Sequence, residues 1–254
     1  MPKLSAYDKR NDYSYAPGIF PATECLHAAP ERCLRLLVSS DSVESAGVRK
    51  LRAEAEAAGI RCECADRLLK LVAHKENCHA AMVFRKTESE LRRKADHLVL
   101  VNPGDGGNLG TIMRTALGFG FRDLAVIRPA ADTDDPKTVR ASMGAVFSLR
   151  IRHFDSFEEY RDAYPETELF PFMLTGSVSL EEAAGRYRPG SAIILGNEGS
   201  GLPDSFSECG TPVRIPHSAR IDSLNVGVAA GIGMYVFSQK RAVITENARI
   251  SSED

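Results

Sequence analysis

Several large function classes leave marks on a sequence that are missing here. None of the six cysteines, at 25, 33, 62, 64, 78 and 209, forms a Cys-x-x-Cys pair, which excludes a zinc ribbon and a dithiol redox motif. Free, mostly buried thiols in a reducing compartment are the expectation. The six histidines never fall at His-x-x-x-His spacing, and no metal site is expected. No Gly-Lys-Ser or Gly-Lys-Thr occurs, so there is no P-loop. The one long apolar stretch, Leu224 to Phe237, has 14 residues and is rich in Gly and Ala, a length suited to a buried helix rather than a membrane span. MPKLSAYDKRNDYSYAPGIF has no apolar core of signal-peptide length, and a cytoplasmic protein without membrane association is expected. Charge of one sign is also lacking: 32 basic against 34 acidic side chains leave a net −2, which does not mark a strongly basic nucleic-acid binder. There is no internal repeat and no low-complexity tract.

What is present is an average globular composition, 43% hydrophobic and 26% charged over 254 residues, enough for one large domain or two ordinary ones. A polar, core-poor segment, KTESELRRKAD, separates two differently patterned stretches. The expected organisation is a small α/β domain over 1–90, a linker over 91–96 and a larger α/β domain over 97–254. In the first, CLRLLVSS and IRCECA read as strands around a helix ending at Gly59. In the second, apolar runs such as HLVLV, DLAVIRP and SAIILG alternate with helical patterns, including one that starts at Pro136. Continuously apolar strands, each followed by a helix, indicate a parallel sheet covered on both faces.

Three segments place glycines and polar residues directly after such strands, where ligands gather in open α/β sheets. They are NPGDGGNLGTIMRTALGFGF at 102–121, ILGNEGSGLP at 194–203 and IPHSARIDSLNVGVAAG at 215–231. The first is not a dinucleotide fingerprint: after Gly104 and Gly106 the third glycine would stand at 109, which is Leu109.

Together and in this order, the three segments resemble the motifs of the TrmH-type (SpoU-like) SPOUT RNA 2′-O-ribose methyltransferases. The first reads Asn108, Gly110, Arg114, Ala116; the second Gly196, Glu198, Gly199, Gly201; the third Ile215, Pro216, Ser223, Leu224, Asn225, Val226. The resemblance covers 97 to about 240 closely and the first 90 residues loosely. Related sequences carry His-Gln-Gly-Val where this chain has His79-Ala80-Ala81-Met82 or His74-Lys75-Glu76-Asn77. The resemblance implies a parallel-sheet methyltransferase domain with a deep trefoil knot, preceded by a small, ribosomal-protein-like RNA substrate domain. It further implies S-adenosyl-L-methionine as cofactor, ribosomal or transfer RNA as partner, and a homodimer with the final helix in its interface.

The implied cofactor site comprises Thr175 and Gly176, Leu195, Gly196 and Gly199, and Ile215 and Leu224, largely through backbone groups and apolar packing. The implied catalytic set is Asn108, Arg114, Glu198, Ser223 and Asn225. Physically, a lone Arg114 in the apolar IMRTALGFG is awkward in a packed core, so it either pairs with a carboxylate or is reserved for ligand. A guanidinium is a poor base, and binding phosphate while stabilising a developing alkoxide suits it better. Asn108 stands where it can cap the following helix, as do Ser223 and Asn225 for the last one. Glu198 has three functional roles open to it, proton acceptor, partner of Arg114 or positioner of Asn108, beside a salt bridge that merely orders the loop. The histidines, His217 included, are given little weight. Rival readings are a non-catalytic RNA-binding or assembly protein that retains the fold, and a nucleotide-cofactor oxidoreductase, against which the missing glycine argues. Charge divides unevenly: 17 Lys and Arg against 13 acids up to residue 94, and 15 against 21 beyond it. The basic excess therefore lies in the expected RNA domain.

Overall fold

A computed structural model describes residues 4–73, 78–175 and 178–253. Its elements are β1 (Tyr13–Pro17), α1 (Ile19–Ala28), β2 (Cys33–Val38), α2 (Ala46–Ala57), β3 (Cys62–Cys64), α3 (Asp66–Ala73), β4 (Ala80–Arg85), β5 (His97–Val101), α4 (Gly106–Gly118) and β6 (Asp123–Ile127). They continue with α5 (Pro136–Ala141), β7 (Arg150–Phe154), α6 (Phe157–Ala163), β8 (Glu168–Pro171), β9 (Val178–Ser179), α7 (Leu180–Arg186), β10 (Ser191–Leu195), β11 (Val213–Arg214) and α8 (Val226–Glu253). The chain divides into two compact units. One holds 1–87, 109–114 and 131–149; the other holds 88–108, 115–130 and 150–254. The partition read from sequence was 1–90, 91–96 and 97–254; the structural division falls between Thr87 and Glu88 and returns two later segments to the first unit.

The first unit is built on a sheet of order β1-β4-β2-β3, antiparallel except for the parallel β2–β3 pair. Strand alternation sends Tyr13, Tyr15, Ala81 and Val83 to one face, where they bury Leu69 and Val72 of α3. Leu36, Met82 and Phe84 fill the other, against which α1 packs. β1 and α1 are additions to the sequence reading, as is the short 3₁₀ turn at Ala145–Ser148 that delays β7 until Arg150. The 131–149 segment is tied in by Ser14 Oγ to the Asp134 carbonyl and by Arg32 stacked over Phe84 and Phe147. Gly110, on α4, lies so close to α5 that a Cβ there would stand 2.5 Å from the Ala141 Cβ and 2.6 Å from the Thr138 carbonyl oxygen.

The second unit holds a five-stranded, all-parallel sheet of order β7-β6-β5-β10-β8. All residues of β5, β6 and β10 are buried, which is why these strands read as unbroken apolar runs. Val99, Val101, Ala125, Ile127 and Ile194 share one face with Phe157 and Tyr160 of α6. On α8, Phe237 is buried edge-on against Phe170 at 5.0 Å, a side chain whose burial contributes about 1.5–3 kcal/mol. Asp96 fastens the same helix by accepting from Arg241 (2.9 Å), the Tyr187 hydroxyl (2.6 Å) and the Gly190 N–H (2.9 Å).

Local sequence explains where the helices begin. Asp105, Asp135 and Ser156 accept first-turn N–H bonds of α4, α5 and α6, Pro136 opens α5, and Ser179 with Glu182 forms a capping box on α7. All six cysteines are free, but only Cys25 is fully buried and Cys64 is exposed, so the expectation of mostly buried thiols is corrected. Among the described residues, no helix is long and apolar enough to cross a membrane.

Candidate active site

In the second unit the chain runs outward from β5 through β6 to β7, and β10 and β8 lie on the other side of β5. The switch therefore lies between β5 and β10, and the loops that leave their carboxyl ends, 102–105 and 196–201, flank the crevice where such sheets bind ligands. Asn102 takes a left-handed conformation (φ 53°) and its Nδ2 donates to the Arg128 carbonyl at 2.8 Å. In the partner loop, Gly201 also has positive φ (68°) and bonds back to Asn197. A Cβ on Gly196 would collide with the backbone of Gly201 and Leu202, so only glycine lets this loop fold over its own entry.

The two loops are joined by acceptors and donors that match one for one. Asn197 Oδ1 accepts from the N–H groups of Gly199 (2.8 Å) and Ser200 (3.2 Å), while its Nδ2 donates to the Asn102 carbonyl (2.8 Å). Glu198 reaches across to the loop preceding α4. Its carboxylate accepts from the N–H groups of Gly104 (3.0 Å) and Asp105 (3.2 Å) and from Asn108 Nδ2 (3.4 Å). Burial pushes the Glu198 pKa up, but the N–H groups of Gly104, Glu198 itself and Asp105, with the Asn108 amide, outweigh it and leave it below the usual 4.5. Such a carboxylate stays ionised and is a weak proton acceptor.

The third segment enters through Asn225. Its Oδ1 accepts from the N–H groups of Gly227 (2.9 Å) and Val228 (3.3 Å), capping α8, and its Nδ2 donates to Asn108 Oδ1 at 3.2 Å. Both amide orientations follow from the ends of this chain, since helix N–H groups only donate and the Glu198 carboxylate only accepts. Asn108 is not the helix cap expected from sequence. Asp105 takes that place, accepting the Asn108 N–H at 2.7 Å, which frees the Asn108 side chain to bridge Glu198 and Asn225.

An open cleft lies beside these loops. Leu195, Gly196, Gly199, Ile215, Leu224 and Ser223, all singled out in the sequence, line it together with Glu198. Phe172, Met173 and Val213 add apolar wall that sequence reasoning missed, and His217 adds an imidazole. Asn197 was missed as well, although a Gly-Asn pair directly after a strand is a legible turn signal. Thr175 is exposed and does not line the cleft, and Gly176 falls outside the described residues, as do His74 to Asn77. Arg114 is exposed on α4, and its side chain has no hydrogen bond or ion pair among the described residues. It is thus neither packed in a core nor paired with a carboxylate, and the second of the roles open to Glu198 is removed. The arrangement offers an apolar slot for a flat group, edged by exposed backbone and a few polar atoms.

A family model for the SpoU rRNA methylases matches residues 96–235, which contain all three loop segments. The chain belongs to the SpoU rRNA methylase family. Among SpoU relatives, a 23S rRNA (uridine(2479)-2′-O)-methyltransferase of Streptomyces viridochromogenes is 31% identical over 145 residues, 55% of this chain and 50% of that protein. The chain spans between 27% and 66% of the length of the curated relatives it matches. A solved RNA 2′-O ribose methyltransferase superposes with a TM-score of 0.75 at 25% identity, over 91% of this chain and 90% of its own. The SpoU methyltransferase AviRb from Streptomyces viridochromogenes, in complex with the cofactor AdoMet, superposes with a TM-score of 0.76 at 23% identity over 91% of each chain, a likeness of fold.

Proposed function

We propose that this SpoU family member transfers a methyl group from S-adenosyl-L-methionine to a ribose 2′-hydroxyl in ribosomal or transfer RNA. The observation that carries the reading is the chain of bonds from Glu198 through Asn108 to Asn225, which ties the three loop segments together beside one cleft. The cleft suits the cofactor: Leu195, Ile215 and Leu224 give an apolar slot for a flat base, and Gly196 brings backbone to its edge without side-chain bulk. When bound, the cofactor supplies an electrophilic methyl group on a sulfonium. Thr175 and Gly176 belong to the same binding set in this reading.

The protein's own part is alignment and charge placement. Holding nucleophile and electrophile in line can supply roughly 7–11 kcal/mol of a barrier. Glu198, ionised and saturated with donors, positions Asn108 and the loop before α4 rather than taking a proton. Asn225 and Ser223 set the opening of α8 beside the cleft. Arg114, an unpaired cation, binds RNA phosphate and stabilises the developing alkoxide.

The first unit, with its basic excess, is the RNA substrate domain, similar to a ribosomal-protein fold. The second carries the trefoil knot of its family. A homodimer through α8 is supported by Val228, Ile232 and Tyr235, which follow one another at helical spacing and are 52%, 36% and 52% exposed. The protein works in the cytoplasm. Mapping 2′-O-methylation in total RNA from cells with and without the gene tests the function: loss at one site names the substrate. An unchanged map, with purified protein that binds RNA but not S-adenosylhomocysteine, would establish instead a non-catalytic RNA-binding role.

A further inference from the structure

His217 brings to the cleft an aromatic nitrogen to spare, beside the freely rotating hydroxyls of Ser200 and Ser223. It sits in the loop between β11 and α8, where Pro216 and Ser218 through Ser223 are exposed, and His217 is half-buried and lines the cleft. Its Nδ1 lies 2.9 Å from the Ile215 carbonyl oxygen. A carbonyl only accepts, so Nδ1 carries the proton in the neutral ring and Nε2 is left as an acceptor. Nε2 has no hydrogen-bond or ion-pair partner among the described residues. Asn197 and Glu198 also line the cleft, but their side-chain oxygens are taken by loop N–H groups.

We propose that His217 is a cofactor-binding residue, its Nε2 accepting a hydrogen bond from an N–H or O–H group of the bound S-adenosylmethionine. The assignment rests on the cleft being the cofactor site. The bond to Ile215 is what makes the contact specific. It fixes the ring's orientation and tautomer before ligand arrives, so little rotamer freedom is lost on binding. It also couples the side chain to Ile215, whose own side chain walls the slot, so that the apolar and polar contacts are set by one short turn. The matching donors are the ribose hydroxyls and adenine amine of the nucleoside, or the α-ammonium of the amino-acid portion.

Calorimetric titration of the full chain with S-adenosylhomocysteine, comparing the unaltered protein with His217→Phe and His217→Gln, tests this. Phe keeps a flat ring without an acceptor, and Gln offers a carbonyl oxygen at similar reach. The expected result is binding weakened about tenfold by Phe and restored by Gln to within about threefold of the unaltered protein. A Phe variant that binds as tightly as the unaltered protein, or a Gln variant no better than Phe, overturns the assignment to His217 alone. Failure of the unaltered protein to bind S-adenosylhomocysteine overturns the reading of the cleft as well. Repeating the titration with 5′-methylthioadenosine, which lacks the α-ammonium, locates the donor. A Phe penalty that persists puts it on the nucleoside, and one that disappears puts it on the amino-acid portion. Should either variant fail to fold, the unaltered protein labelled with 15N-histidine still decides. An Nε2 resonance that moves upfield on adding ligand supports the bond, and one that stays in place overturns it.

Discussion

Asn225 donates its side-chain N–H to Asn108 Oδ1 at 3.2 Å, joining residues 117 positions apart in sequence. Through that bond the cap of α8 and the start of α4 hold each other in register, and Glu198 at the far end of Asn108 brings in the loop after β10. Neither amide can rotate without setting like against like at one of its ends.

Asn225→Asp separates capping from bridging. The new carboxylate still accepts from Gly227 and Val228, and an acid at a helix N-terminus is favourable, so the loss in thermal stability should be under about 1 kcal/mol. The donor to Asn108 is gone, however, and Asn108 Oδ1 then faces an anion. Methyl transfer should fall at least tenfold with little change in Tm. Activity equal to that of the unaltered protein would mean that the Asn108–Asn225 bond does not align the site.

Glu198→Gln replaces an acceptor-only group with one that must turn an NH₂ toward donors. Those N–H groups belong to the exposed Gly104 and Asp105, where water replaces a lost partner, so the loss in stability should be about 1 kcal/mol or less. The pH dependence gives a sharper check. Because the folded-state pKa of Glu198 is depressed, its contribution is full above the ordinary value of 4.5 and is lost as pH falls through the lower folded-state value. Thermal unfolding followed downward from pH 5 should show a loss of stability in the unaltered protein that is smaller in the Gln variant.

The parts legible in sequence were those fixed by local chemistry. Strands β5, β6 and β10 could be read because burial on both faces demands unbroken apolar runs, and the three loop segments because glycines and polar residues follow strand ends, whereas the cleft-lining Leu195, Gly196, Ile215 and Leu224 within them came from the family resemblance. β1 and α1 could not, since Pro17, Gly18 and Pro21 break both periodicities. Tyr13 to Pro17 become a strand only by pairing with β4, some 68 residues on. Arg114 misled because the apolar neighbours that suggested a core, Ile112 and Met113, are buried while Arg114 itself is exposed. His217 was given little weight because nothing local indicates that it lines the cleft.

Gly110→Ala tests a motif position whose reason is steric. In an exposed helix the change would gain about 1 kcal/mol of propensity. Here the added methyl meets the Thr138 carbonyl oxygen at 2.6 Å, backbone that cannot yield without moving α5. Overpacking of this kind costs typically 1–3 kcal/mol, so the net effect should be destabilising, by up to about 2 kcal/mol. Chemical denaturation reads it directly, and a stabilised variant would show that α4 and α5 can separate freely.

His97 predicts a second acid-sensitive window. Its Nε2 donates to the Arg92 carbonyl (2.8 Å), so Nδ1 accepts from the Tyr160 hydroxyl (2.9 Å), and the ring is buried and neutral. Burial pushes its pKa below the ordinary 6.5, against smaller upward pulls from the Arg92 carbonyl, Asp123 and Asp96. Stability from this group is therefore full above pH 6.5 and declines as pH falls through the lower folded-state value. His97→Gln should lower Tm at pH 8 but flatten its fall between about pH 6.5 and 5. A variant whose pH profile parallels that of the unaltered protein would assign the acid sensitivity elsewhere.

Arg114→Lys weighs geometry against charge at the exposed cation of α4. Lysine keeps the charge but presents a point ammonium in place of a planar fork, which lowers its ability to hold a phosphate by two parallel bonds. Turnover on RNA should fall by about tenfold or more, the range set by losing a well-oriented charged hydrogen bond of about 1.5–3 kcal/mol. Binding of S-adenosylhomocysteine should be unaltered, because Arg114 does not line the cleft. Near-normal turnover with an unchanged pH profile would remove the fork from the mechanism and reduce Arg114 to a source of general positive charge.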